Sequence, residues 1–368
     1  MSKRVVAFMA AVCCIFTALS AYANDDHAGN TVTLSIQQAI DMAVKDNPQL
    51  LSYDTQIEDA ERQIEQAKKD VRDSKGPIPL PSGIGIVALR KGYYVNQYTI
   101  AKETAQMKKE QAINNIAFDV TEKYCNVKLL EALVENMKNS YELTRQNVDT
   151  LQTQYDLGMV SDLDLKNAEL SLHKVQSTLN EYERNLDIAR KSLLVALQIE
   201  DENTNLNLTD SIEYKEADID IAKDVESALE TRVDMYSLKK VLEQAQLYRD
   251  ATKVLGVTSS QYSAANSTVV QSEYQYTNSK KLMRLALNSY NTTILTCKDT
   301  LDNAKENYGL KEQEYSVNKL KYDLGLITSN ELFSSRTSAD SASIEYENAK
   351  LAYKLACEKY SYEITLGL

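Results

Sequence analysis

Apolar residues recur every seventh position through four long stretches of this chain. The first runs through Ile113, Val120, Val127, Val134, Tyr141, Val148 and Tyr155, with Ile116, Leu130, Met137 and Leu151 alongside and Lys123 and Thr144 as polar interruptions. The second holds Leu165, Leu172, Leu179, Leu186 and Leu193, accompanied by Ala168, Val175, Tyr182, Ala189 and Ala196. Leu287, Ile294, Leu301, Tyr308, Tyr315 and Tyr322 form the third, and Leu332, Ala339, Tyr346, Tyr353 and Tyr360 the fourth. Seven residues fall short of two ideal helical turns, so such stripes stay in contact only if the helices supercoil left-handedly. The pattern is one of packing, and it predicts long rods over Tyr98–Leu157 and Tyr274–Leu324, each paired with the helix that follows.

Two related turns join these stretches. Tyr155–Leu165 reads YDLGMVSDLDL and Tyr322–Leu332 reads YDLGLITSNEL. Gly158 and Gly325 suit the left-handed residue that closes a helix. Ser161 and Thr328 are then N-caps, with Asp164 and Glu331 three residues on to complete capping boxes. So short a connection folds each pair of helices into an antiparallel hairpin. Met159, Val160, Leu326 and Ile327 stand at the turns. Two readings fit them: apolar contact across a glycine cap, or an exposed docking surface. Asp164 and Glu331 likewise serve as caps, as acids lining an aperture with Tyr155 and Tyr322, or as both.

Upstream, Ser35 caps a short helix with Ile36, Ala39, Ile40 and Ala43 on one face. Asn47-Pro48 breaks it, and a longer helix follows from about Gln49 to Asp73. This element returns later with Ala43 matched by Ala228, Asn47 by Arg232, Leu50 by Met235 and Ala60 by Ala245. Two repeated signals in one order predict an internal duplication: a first helical repeat over 31–200, a linker over 201–216 and a second repeat over 217–368. The linker holds a short extended piece at Leu206–Leu208. The first repeat carries an insert, 74–94, rich in proline and glycine, for which one short strand, Ile84–Leu89, is expected. Its counterpart, Gly256–Tyr276, reads as a kinked helix or a weak strand. The fold class is therefore mainly α, built of duplicated long antiparallel coiled-coil hairpins.

Composition narrows the function. Residues 1–23 (Met1–Ala23) read as a secretory signal peptide: Lys3 and Arg4, an apolar run, then Ala21-Tyr22-Ala23. The chain is expected to be exported to the cell envelope. A net charge of −12 makes nucleic acid an unfavourable partner. All four prolines lie at or before Pro81, so nothing beyond need break a helix. Two histidines and no paired cysteine motif give no basis for a catalytic triad, metal site or cofactor. Cys125, Cys297 and Cys357 read as small apolar residues within helices.

The duplication, the Leu-Ser-Ile-x-x-Ala-Ile…Asn-Pro-x-Leu opening and the doubled Tyr-x-x-Gly-x-x-[Ser/Thr]-x-x-[Asp/Glu]-Leu turn together resemble the TolC-type outer-membrane efflux family. The resemblance spans nearly the whole chain after the signal peptide. It implies a homotrimeric tube of twelve antiparallel helices, without enzymatic activity. The tube would be the exit duct of an export machine, its tips meeting a periplasmic adaptor and through it an inner-membrane pump of the ABC or RND type. An outer-membrane location follows if the host has such a membrane. Two departures stand out. Family members insert paired membrane strands per half, where this chain has 74–94 and 256–276, too short and without tryptophan, so the β-barrel portion is expected to be vestigial or absent. At the second turn Ile327 stands where the family has an arginine, and Ser334 where it has a second acid. The alternative is an adaptor-like or structural coiled-coil rod that spans no membrane.

Overall fold

The computed structural model describes residues 31–77, 84–216 and 218–368. The expected signal peptide, residues 1–23, lies outside them. In order the elements are β1 (Thr31–Leu34), α1 (Ile36–Val44), α2 (Pro48–Asp73), α3 (Ile84–Arg90), α4 (Tyr93–Asp156), α5 (Asp162–Ala196), β2 (Asn205–Leu208), α6 (Ile221–Thr231), α7 (Val233–Thr252), α8 (Ser260–Asp323) and α9 (Ser329–Glu363). A single 3-10 turn, Lys253–Leu255, follows α7.

Local chemistry sets these boundaries. Ser35 and Gln38 form a reciprocal capping box on α1, at 3.2 and 2.9 Å. The Asn47 side chain accepts the Gln49 amide at 3.0 Å, and Pro48 takes the first helical position, where its missing N–H costs nothing. Asp220 caps α6 and Ser259 caps α8. With no proline to interrupt them, α4 and α8 each run for 64 residues. At the helical rise each is a rod of about 95 Å. The helices after the turns, α5 and α9, have 35 residues each.

Cross-helix contacts fix the arrangement. Near the start of α4, Lys109 meets Asp54 at 2.5 Å and Lys102 meets Glu61 at 2.7 Å. Tyr236 bonds to Glu103, and Asn96 bonds to Gln244 at 2.6 Å. As numbers rise on α4 they fall on the partner, so α2 and α7 lie antiparallel against its first half. Towards its end, Lys138–Glu183 at 3.7 Å and Glu131–Arg190 at 2.9 Å align α5, while Ser140–Asp340 and Asn147–Ser329 align α9. The same antiparallel logic holds throughout. Side by side, the tip half therefore reads α5, α4, α9, α8, and both turns sit at one end.

The core is distributed along this rod. At the waist β1 and β2 pair in parallel, Thr31 opposite Asn205 and Leu34 opposite Leu208. Around them one cluster joins Val120, Tyr124, Val127 and Leu193 to Ala39 and Ala43 of α1. A second joins Met235, Leu287, Ile294 and Leu301 to Tyr353 and Tyr360. Seam residues of all four stripes are buried or half-buried, apart from Tyr155. Thr144, a polar interruption, is buried with its hydroxyl donating to the Ser140 carbonyl at 2.7 Å, which is how a helix hides such a residue.

One expectation is corrected and one alternative is decided. Ile84–Leu89 is no strand: it forms α3, because Ile84, Val87 and Ala88 share one helical face packed against Ala251 of α7. Of the two readings of Gly256–Tyr276 the strand is ruled out and the helical one holds. Its turn ends at Ser259, whose side chain accepts the Tyr262 amide at 3.2 Å and starts α8 well before Tyr274. The first rod likewise starts at Tyr93 rather than Tyr98. Among the described residues β1 and β2 are the strands present, and no helix is long and apolar enough to cross a membrane.

Candidate docking tips

Both turns close in the same way. Gly158 and Gly325 take φ values of 70° and 72°. The Gly158 amide donates to the Tyr155 carbonyl and the Met159 amide to Gln154, each at 2.8 Å. Gly325 to Tyr322 and Leu326 to Lys321 repeat this, also at 2.8 Å. These paired bonds are the Schellman closure, which satisfies the last carbonyls of each long helix. Two residues later the next helix is capped. Asp164 accepts from the Ser161 amide and hydroxyl at 3.2 and 2.7 Å, and Glu331 accepts from those of Thr328 at 2.8 and 3.0 Å. The Ser161 hydroxyl holds the Asp164 carboxyl below its ordinary range, and the Thr328 amide does the same for Glu331. Both acids are thus engaged by their own caps.

The four apolar turn residues divide into two kinds. Val160 precedes the Ser161 cap and packs into the cluster of Val148, Leu151, Leu165 and Ala168. This is a hydrophobic staple to the fourth residue of the new helix. Ile327 holds the corresponding place before Thr328 and is half-buried. Met159 and Leu326 instead remain 71% and 70% exposed. A Schellman turn usually tucks this residue against the side chain five positions back. Here those positions are Gln154 and Lys321, polar residues instead of the usual apolar side chain. Leu157 and Leu324, at 70% and 74% exposure, join them, as do Leu163 and Leu320.

Sequence reading missed these four leucines because they lie off the seams. Their exposed position opposite the seam was the available signal. Tyr155 is 39% exposed and Tyr322 is half-buried. A further polar group also went unread. Arg336 pairs with buried Asp340 at 2.8 Å and lies 5.1 Å over the Tyr315 ring, while Ser140 of the facing hairpin stands near Asp340. Burial raises the Asp340 carboxyl despite that partner.

No family model and no curated protein sequence matches the chain. Solved structures do. The Campylobacter jejuni CmeC outer membrane channel aligns at 16% identity and a TM-score of 0.67, over 89% of this chain and 85% of that one. The Vibrio cholerae outer membrane protein VceC gives 12% and 0.67 over 90% and 96%. CusC gives 12% and 0.70 over 95% and 96%. At these identities the likeness is one of fold, and the fold is the α-helical tunnel architecture of the TolC-like outer membrane channels.

Proposed function

We propose that this chain is one protomer of a passive envelope export duct, closed by identical copies edge to edge and docked at its tips by a periplasmic adaptor that links it to an inner-membrane pump. The observation that carries this reading is the state of the two open edges. α5 exposes Leu163 and Leu170, and α8 with its C-cap exposes Val317 and Leu324, both pairs at heptad spacing and both close to the tips. The two helices run in opposite directions. Leu324 of one copy therefore lies level with Leu163 of the next, and Val317 with Leu170. Joining unlike edges is a heterologous contact, which closes as a ring when the rotation permits. A homotrimer is the ring that matches the TolC-like tunnel.

Such a ring would present six turns, each with exposed apolar side chains backed by rigid caps. Repeated exposed clusters of this kind mark interaction surfaces. The test replaces Met159 and Leu326 with serine, leaving both glycines, both caps and both staples in place. The thermal midpoint should change little while adaptor pull-down and export are lost. Export at the wild-type level would refute tip docking. Val160→Ser is the contrasting variant: it should lower stability yet still capture adaptor once folded.

One observation favours the second reading, a rod that keeps the tunnel fold but spans no bilayer. Between α7 and α8 the chain has only a 3-10 turn and a four-residue connection. Planar-bilayer conductance by the purified protein separates the two: steady channels support the duct, silence supports the rod.

A further inference from the structure

The end of the rod opposite the tips differs from the rest of the molecule in charge. The C-termini of α2 and α7 meet the N-termini of α4 and α8 there, with α3 packed among them. Arg72, Lys75, Arg90, Lys91, Arg249 and Lys253 lie at this end, against Asp70, Asp73 and Asp250. A local basic excess is notable in a chain of net charge −12. The first tip is the reverse, with Asp156, Asp162 and Asp164 against Lys166.

Little of this positive charge is neutralised. Asp250 serves both Arg249, at 3.1 Å, and Lys253, at 2.9 Å. Arg90 spends its donors on the Ser74 and Gly76 carbonyls, each at 2.7 Å, which carry no charge. Lys75 and Lys91 reach no carboxylate among the described residues, and both are exposed. Among these cations stand exposed apolar groups: Val254 and Val257, the latter 64% exposed, with Tyr94 and Tyr248 at the margin. The space between α3 and α7 is filled by Val87, Ala88 and Ala251. The apolar groups therefore project from a turn and helix ends instead of lining a groove that would seat a helix or peptide.

Projecting apolar side chains within a basic collar suit a flat, negatively charged, apolar-backed partner. We propose that this end rests peripherally on an anionic phospholipid surface. Val254 and Val257 enter the boundary between headgroups and acyl chains, and Lys75, Arg90, Lys91 and Lys253 face the phosphates. The inference holds for one chain and does not depend on the duct reading.

The test is co-sedimentation of the full chain with phosphatidylglycerol-rich vesicles and with pure phosphatidylcholine vesicles. Lys3, Arg4 and the apolar run of Met1–Ala23 are common to the wild type and every variant, so the differences between variants on the same vesicles are what is read. The wild type should prefer the anionic vesicles, and the preference should fall as salt rises. Reversing Lys75, Lys91 and Lys253 to glutamate should reduce anionic binding by more than about a hundredfold, since losing each positive charge alone is worth about fivefold and each glutamate adds repulsion. Val254→Ser with Val257→Ser should weaken it without changing its salt dependence. Reversal of Lys281, Lys305 and Lys319, exposed along α8, alters net charge equally and should leave most of the preference intact. Equal loss in both lysine triples would show that net charge alone governs binding, and would overturn the proposal. So would equal binding to the two vesicle types, or binding to neither. Circular dichroism of each variant confirms that lost binding is not lost fold.

Discussion

Tyr124→Phe tests the waist with a single atom. The Tyr124 side chain is fully buried, and its hydroxyl donates to the Leu34 carbonyl and accepts the Asp210 amide, both at 2.9 Å. One oxygen thus ties α4 to the ends of both strands. Burial pushes the phenol above its ordinary pKa, so it keeps its proton as the donor. Phenylalanine fills the same space, which removes the cavity term. The Leu34 carbonyl still receives the Thr209 amide at 3.1 Å and the Thr209 hydroxyl at 3.4 Å, so it stays satisfied. The Asp210 amide loses its partner. A net hydrogen bond is worth about 1 kcal/mol, and a stranded buried donor costs about 1–3 more. Asp210 is only half-buried, which puts the total near the low end, about 2 kcal/mol. With a urea m-value of about 3 kcal/mol/M the midpoint should fall by roughly 0.7 M. The Asp210 amide, which loses its acceptor, should exchange faster. An unshifted midpoint with unchanged exchange at Asp210 would show that water replaces the hydroxyl, and would refute the assigned role.

Two further outcomes follow from single residues. Gly158→Ala places a Cβ that meets nothing within 4 Å, so its cost is the left-handed backbone alone, about 1–2 kcal/mol; because the exposed tip opens locally before the rod unfolds, hydrogen exchange should speed up around Leu157–Met159 with the global midpoint falling by less than the roughly 0.3–0.7 M that this cost would give if the chain unfolded as one unit. Burial pushes the Cys125 thiol up to about 11, so at pH 8 its thiolate fraction is roughly 200-fold below that of an ordinary thiol near 8.5. Native Cys125 should resist thiol reagents until the chain opens. Its stabilising contribution is fully present below pH 8.5 and is lost as pH rises through 11. Fast labelling of native Cys125 at pH 8 would contradict this.

The long rods were legible because one rule, the seven-residue repeat, is written many times along each of them. Leu165 through Leu193 and Leu287 through Leu301 could be assigned without tertiary knowledge. The turns were legible too, since glycine and capping residues act locally. Where the signal is short the reading failed. Ile84–Leu89 is rich in β-branched residues, and its helical face of Ile84, Val87 and Ala88 spans a single turn. Only the packing of Ala251 against that face decides the outcome. The extended piece at Leu206–Leu208 was expected, but its partner strand Thr31–Leu34 depends on chain closure across the whole first repeat, which no local pattern encodes.

The tips show where local rules divide residues that look alike. Met159 and Val160 are adjacent and apolar, and so are Leu326 and Ile327, so hydropathy alone cannot separate them. Cap geometry can. The residue before an N-cap is drawn towards the fourth residue of the new helix, and Leu165 and Leu332 stand there, ready to bury Val160 and Ile327. The residue after a left-handed glycine is drawn back towards the side chain five positions earlier. Gln154 and Lys321 hold those places, so Met159 and Leu326 lack the usual apolar partner. Placing Leu at Gln154 should therefore partly bury Met159 by giving its turn the missing contact. If tip docking is correct, Gln154→Leu should weaken adaptor capture while stabilising the turn, and stability and docking would move in opposite directions. A variant that stabilised the turn and bound adaptor unchanged would separate Met159 from the docking surface.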